Sequence, residues 1–294
     1  MQYTTIRHEI EDGILTVVLD RSDHLNAFTV EMADELEHTF VSVNHNDEVR
    51  AVIVTGEGRA FCAGMDLSSE GNVFGLDESK RPSLADMHNL HDPGLRRIRD
   101  TGGRVTLAIH ACRKPVIAAI NGAAVGIGAT MTLAMDARLL SNRARFGLVF
   151  GKLGIVPEAC STWFLPRLVG LPAALDLVYR AEILDAAAAH ETGLAQAIHE
   201  PDALLGEARA LADAWTRDRS PVSVALMRQM LLRNSAAPHP VEAHRVDSLA
   251  MFYTSIGDGD EGVRAFLDKR PPQFRGKASE MPPFYETWVD APSS

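Results

Sequence analysis

The chain has 294 residues, of which 46% are hydrophobic and 23% charged, and its 39 acidic and 29 basic residues give a formal net charge of -10. That length supports one large soluble core with or without a smaller appended region, and the acidic balance argues against non-specific nucleic-acid binding. Three cysteines, Cys62, Cys112 and Cys160, form no C-x-x-C pair and are expected as reduced thiols in a cytoplasmic protein. The opening MQYTTIRHEIEDG lacks the basic-then-apolar pattern of a secretory signal, and no apolar run reaches membrane-spanning length, so no membrane partner is expected.

In chain order, the β-branched run ILTVVL at 14–19 predicts a buried strand, and residues 30–43 carry apolar side chains at helical spacing with acids early. AVIVT at 51–55 predicts a second buried strand, so the first part of the chain reads as α/β layers. Residues 66–100 form a polar connection with scattered Gly and Pro, a length that inside a compact domain points to a functional lid or to partial disorder. A helix is predicted over 105–111. It leads into an apolar run at 115–120, a glycine-rich turn at 121–128 and a further apolar run suited to a helix. After Gly170 the pattern is helical, over 173–181, 185–193, 204–217, 222–233, 241–253 and 260–267, and the Pro-punctuated tail from 270 is predicted to be extended.

Two glycine turns follow strands, RAFCAGMDL at 59–67 and the one at 121–128. Each can present backbone N–H groups, and together they could clamp one oxygen as an oxyanion hole. A dinucleotide-binding turn fits the second poorly, because Met131 occupies the third glycine position and no acid sits at the expected offset. The 11 histidines show no paired metal-ligand spacing, and no G-x-S-x-G elbow is present. Glu158 is a lone carboxylate in an apolar, glycine-rich neighbourhood.

The segments HLNAF at 24–28, AFCAGMDL at 60–67, KPVIAAINGAAVGIG at 114–128, DARLLSNRARF at 136–146, LGIVPEA at 153–159 and EGVRAFLDKRPPQF at 261–274 resemble the enoyl-CoA hydratase/isomerase (crotonase) superfamily. The matches run through nearly the whole chain in the family's order. The resemblance implies an α/β crotonase (ClpP/crotonase-like) spiral of ββα units over 1–200, carrying the CoA groove and active site. A C-terminal helical region and tail over 201–294 would serve trimerisation. It implies an acyl-CoA thioester as small-molecule substrate, coenzyme A entering only as part of that thioester, no permanently bound cofactor or metal, and a homotrimer or dimer of trimers.

By family position the oxyanion-hole amides would be those of Met65 and Ile127. His24, Ala27, Ala63, Gly64, Met65, Asp66, Leu67, Ser68, Gly126 and Ile127 would line the CoA groove, with Asp66 holding its turn. Phe266 and Lys269 resemble C-terminal residues that reach the nucleotide. Family hydratases hold a water between two glutamates, and those places align with Thr130 and Phe150, neither of which can act as a carboxylate. Glu158, in the step P-E, resembles the single acid of Δ3,Δ2-enoyl-CoA isomerases, with burial by Val156, Phe150 and Trp163 expected to raise its pKa. On this reading isomerisation is favoured over hydration. Hydration of 2-enoyl-CoA, processing of another CoA thioester through the same enolate, and CoA-ester binding without efficient turnover stand as alternatives.

Overall fold

A hairpin opens the chain: β1 (Ile6–Glu11) runs antiparallel to β2 (Ile14–Leu19). Its two-residue loop is Asp12–Gly13, both at positive φ (51° and 75°), the Asp-Gly chemistry that suits the twist of a tight hairpin. A computed structural model describes residues 2–68, 71–89 and 92–290, so residues 69, 70, 90 and 91 of the predicted connection lie outside it. Every residue of β2 is buried, as its unbroken apolar run predicts. From β2 the sheet continues in parallel through β3 (Ala51–Gly56), β5 (Val116–Ile120), β7 (Ala137–Ser141) and β10 (Ala197–His199).

Three of these strands are each followed at once by a three-residue strand of a second sheet, β4 (Ala60–Cys62), β6 (Ala123–Val125) and β8 (Arg145–Gly147), which β9 (Ile183–Asp185) closes antiparallel. One strand to each sheet, then helical chain, repeated: this is the ββα spiral of the crotonase fold. Helices α1 (Val30–Ser42) and α2 (Thr101–Ala111) pack against each other over the main sheet, with Met32, Leu36, Phe40, Val105 and Ile109 in the principal core. The predicted helix at 105–111 therefore starts earlier, because the Asp100 side chain caps it and accepts the Gly103 N–H.

The apolar run after the second glycine turn is less regular than expected. It forms one α-turn, α3 (Ile127–Thr130), followed by a 3-10 turn at Met131–Ala134. Beyond it come α4 (Ser161–Val169), α5 (Leu171–Arg180), α6 (Ala186–Glu191) and α7 (Leu204–Thr216), the last covering the other face of the main sheet through Leu204, Ala208 and Ala212. The C-terminal helices are α8 (Pro221–Asn234), α9 (Pro240–Ser255) and α10 (Asp258–Asp268). The tail is not extended throughout: Tyr285–Val289 forms α11, where buried Tyr285 packs beside Trp288 and under the Arg113 guanidinium.

Helix α8 is fastened to the core by a buried cation. Arg228 pairs with Asp136 at 2.8 Å and donates to the carbonyls of Ile109, His110 and Cys112 at the end of α2. Asp136 in turn accepts the Val116 N–H at 2.7 Å. Among the described residues no helix is long and apolar enough to cross a membrane.

Candidate active site

Both glycine turns face one cavity of about 290 Å³. Its wall is mostly apolar, with Phe28, Phe74, Ile127, Phe150, Leu153 and Ile155, and its polar lining includes Asp100, Thr101 and Glu158. A few polar groups converging in an apolar pocket is the usual form of a small-molecule site.

The first turn is fixed from beneath. Gly64 accepts the Phe28 N–H at 2.8 Å and Phe28 accepts the Asp66 N–H at 2.9 Å, so the chain at Met65 is held like a strand. Asp66 accepts from Arg21 at 2.9 Å and from the Ser68 amide and hydroxyl, and these bonds pull its carboxyl down to about 2. Arg21 also donates to the Ala27 carbonyl, and buried Asn26 bonds the carbonyls of Glu57 and Ala60. In the second turn Gly126 donates to Gly147 at 2.9 Å. Among the described residues the amides of Met65 and Ile127 have no protein acceptor, and both residues line the cavity. Because α3 is a single α-turn, these two donors, rather than a long helix dipole, define the electropositive spot.

Glu158 lines the same cavity. The Thr130 hydroxyl donates to its Oε1 at 2.7 Å and lies 3.2 Å from the Gly126 carbonyl. Burial pushes the Glu158 carboxyl up to about 8; the Thr130 hydrogen bond opposes that rise, and the neighbouring Asp100 adds to it. The expected burying residues are corrected in part. Phe150 does line the cavity, whereas Val156 is 78% exposed and Trp163, outside the cavity wall, packs edge-to-face with Phe164 and under the Arg167 guanidinium. Gly102 and Ile127 take their place: a Cβ on Gly102 would lie 2.0 Å from Glu158 Oε2 and 2.3 Å from Ile127 Cδ1.

Asp100, Arg21 and Gly102 are the residues that sequence reasoning missed. Asp100 sits at the end of the polar connection, and only the fold brings it beside Glu158, where its Oδ1 accepts the Ala159 N–H at 3.0 Å. The local signal was the run D-T-G-G, since two glycines in the first turn of a helix weaken it unless something needs their space. Of the remaining predicted site residues, Ala63, Gly64, Leu67 and Gly126 line the cavity, whereas His24, Ala27 and Ser68 lie outside its wall. Phe266 and Lys269 are exposed on α10 and at its C-terminal end and do not line it. Among the described residues no group of three or more His, Cys, Asp or Glu could hold a metal ion.

A family model described as enoyl-CoA hydratase/isomerase matches residues 9–277. The chain belongs to the enoyl-CoA hydratase/isomerase family. It is 38% identical to enoyl-CoA hydratase AFT3-1 of Alternaria alternata over 92% of this chain and 86% of that one. It is 33% identical to 1,2-epoxyphenylacetyl-CoA isomerase of Escherichia coli K12 over 92% and 98%. A crystal structure of a putative enoyl-CoA hydratase from Streptomyces coelicolor A3(2) superposes with a TM-score of 0.80 at 30% identity, covering 94% of this chain and 96% of that one. This enoyl-CoA hydratase/isomerase family member is thereby assigned, at family level, to acyl-CoA processing. The preference for Δ3,Δ2-isomerase over hydratase is overturned: most of the relatives that match over nine-tenths of the chain are named hydratases. The Asp100 carboxyl, which accepts the Ala159 N–H, stands beside Glu158 as a second acid at the site.

Proposed function

We propose that the protein is an enoyl-CoA hydratase that adds water across the conjugated double bond of a 2-enoyl-CoA, with Glu158 as acid/base. The observation that carries this reading is the Glu158 carboxyl in an apolar cavity shared with two backbone donors, Met65 and Ile127, that have no protein acceptor among the described residues. In this mechanism the thioester oxygen accepts from both amides, which stabilise negative charge as it develops there. Water adds its hydroxyl to C3, Glu158 gives its proton to C2, and the proton that the water gives up returns to the carboxyl side of the site. A carboxyl pushed up to about 8 holds a proton to give at neutral pH, whereas an ordinary glutamate would not. Turnover needs no permanently bound cofactor, coenzyme A arriving with the substrate.

The same reading includes a homotrimer or dimer of trimers in the cytoplasm. Three free cysteines support the reducing compartment, and exposed apolar side chains on α9 and α10 support the assembly. The test offers 2-enoyl-CoA and 3-enoyl-CoA thioesters of several chain lengths and follows 3-hydroxyacyl-CoA by mass spectrometry. Formation of the 3-hydroxy product from 2-enoyl-CoA is the expected result. Tight binding of the thioesters without that product would overturn the reading.

A further inference from the structure

The start of α2 is built around two carboxyl groups. Gly102 leaves room for Glu158, as a Cβ there would lie 2.0 Å from Oε2. Gly103 leaves room for Asp100, as a Cβ there would lie 2.7 Å from Oδ2 and 2.8 Å from Oδ1. Glycine destabilises a helix relative to alanine, so two in succession are a real penalty unless the space is used. Here both spaces hold carboxyl oxygens, both groups line the cavity wall, and Asp100 holds the backbone of Ala159 next to Glu158.

The pair is asymmetric. Asp100 accepts two backbone N–H groups, from Gly103 and Ala159, so it is furnished to carry negative charge. Glu158 has the Thr130 hydroxyl and an otherwise apolar surrounding. Asp100 is also the more exposed of the two. The other titratable groups that feel Glu158 are the Cys62 and Cys160 thiols, pushed up by burial to about 12 and about 11, and both stay neutral in the working range.

We infer that Asp100 and Glu158 form a proton-sharing pair, in which Asp100 takes the proton of the attacking water while Glu158 delivers its own to C2. The step balances without further reagents. The water oxygen bonds to C3 and its released proton goes to Asp100; the enolate carbon C2 takes the Glu158 proton. The proton on Asp100 then passes to its neighbour Glu158 and restores it. This rests on the hydration reading, and it supplies from α2 the second carboxylate that hydration needs, which the Thr130 and Phe150 positions lack.

Asp100→Asn is the informative variant, because asparagine caps a helix as well as aspartate does and keeps an oxygen for Gly103 and Ala159. The expected result is a loss in kcat of about 10²-fold with little change in KM, and a pH-rate limb for Glu158 displaced to lower pH. The Gly102→Ala variant, whose methyl group would displace Glu158, is expected to lose activity while its circular dichroism stays native. The inference is overturned if Asp100→Asn keeps the wild-type kcat and pH profile while Glu158→Gln is inactive. Should the wild type hydrate no enoyl thioester, the hydration reading fails on its own. Infrared titration of Glu158 in wild type and Asp100→Asn still tests the pair, and an unmoved titration would contradict it.

Discussion

Glu158 differs from a surface glutamate in what surrounds its oxygens: a threonine hydroxyl, a second carboxyl and apolar wall. Its displacement has a thermodynamic consequence. With a folded value of about 8 against 4.5 for the free side chain, the folded state holds more protons between those limits, so its contribution to stability declines as pH rises from about 4.5 to about 8. Glu158→Gln has no such ionisation. The variant is therefore expected to gain stability relative to wild type across that window and to keep a constant advantage above it, as read from urea midpoints at a series of pH values. Equal pH dependence in the two proteins would contradict the assignment. Arg21 offers a second residue-scale test, since it fixes the turn that presents the Met65 amide through Asp66 and Ala27. Arg21→Met is expected to reduce kcat/KM for an enoyl thioester by at least about tenfold with the fold retained, measured by steady-state kinetics.

At the scale of elements, the strands with near-continuous apolar runs, β2, β3 and β5, are legible because all or most of their length is buried between layers. The three-residue strands of the second sheet are not, since so short a segment has no periodicity to read. The first strand hides for another reason: its exposed face carries charge and it ends in a hairpin whose signal is only Asp12–Gly13. The site divides in the same way. Glu158 and the two glycine turns are visible as local motifs, but Asp100 becomes its neighbour only when α2 is laid against the chain before α4. Element packing also makes a stability prediction. Arg228 joins α8 to α2 and β7 with its side chain only 5% exposed, so Arg228→Met leaves Asp136 without its cation. A loss of about 3–5 kcal/mol in denaturant unfolding is expected, the cost of breaking a buried pair by removing one partner.

For the molecule as a whole, the C-terminal helices leave Met251, Phe252, Ile256, Val263, Phe266 and Leu267 exposed on α9, on α10 and between them. Apolar patches of this kind mark interaction surfaces, and the proposed trimer is the occupant that the family reading supports. Light scattering with size exclusion is expected to return three or six times 32.0 kDa, and a monomer at micromolar concentration would contradict it. This scale also explains why Phe266 and Lys269 lie away from their own chain's cavity: the helix that carries them packs with α9 and the tail rather than over the two turns.

The most direct test of the central claim follows hydration of a 2-enoyl-CoA in water enriched with oxygen-18, comparing wild type with Glu158→Gln. The account predicts one heavy oxygen on C3 of the wild-type product and a rate lower by about 10²–10⁴-fold in the variant. Hydration at the wild-type rate by Glu158→Gln would contradict it.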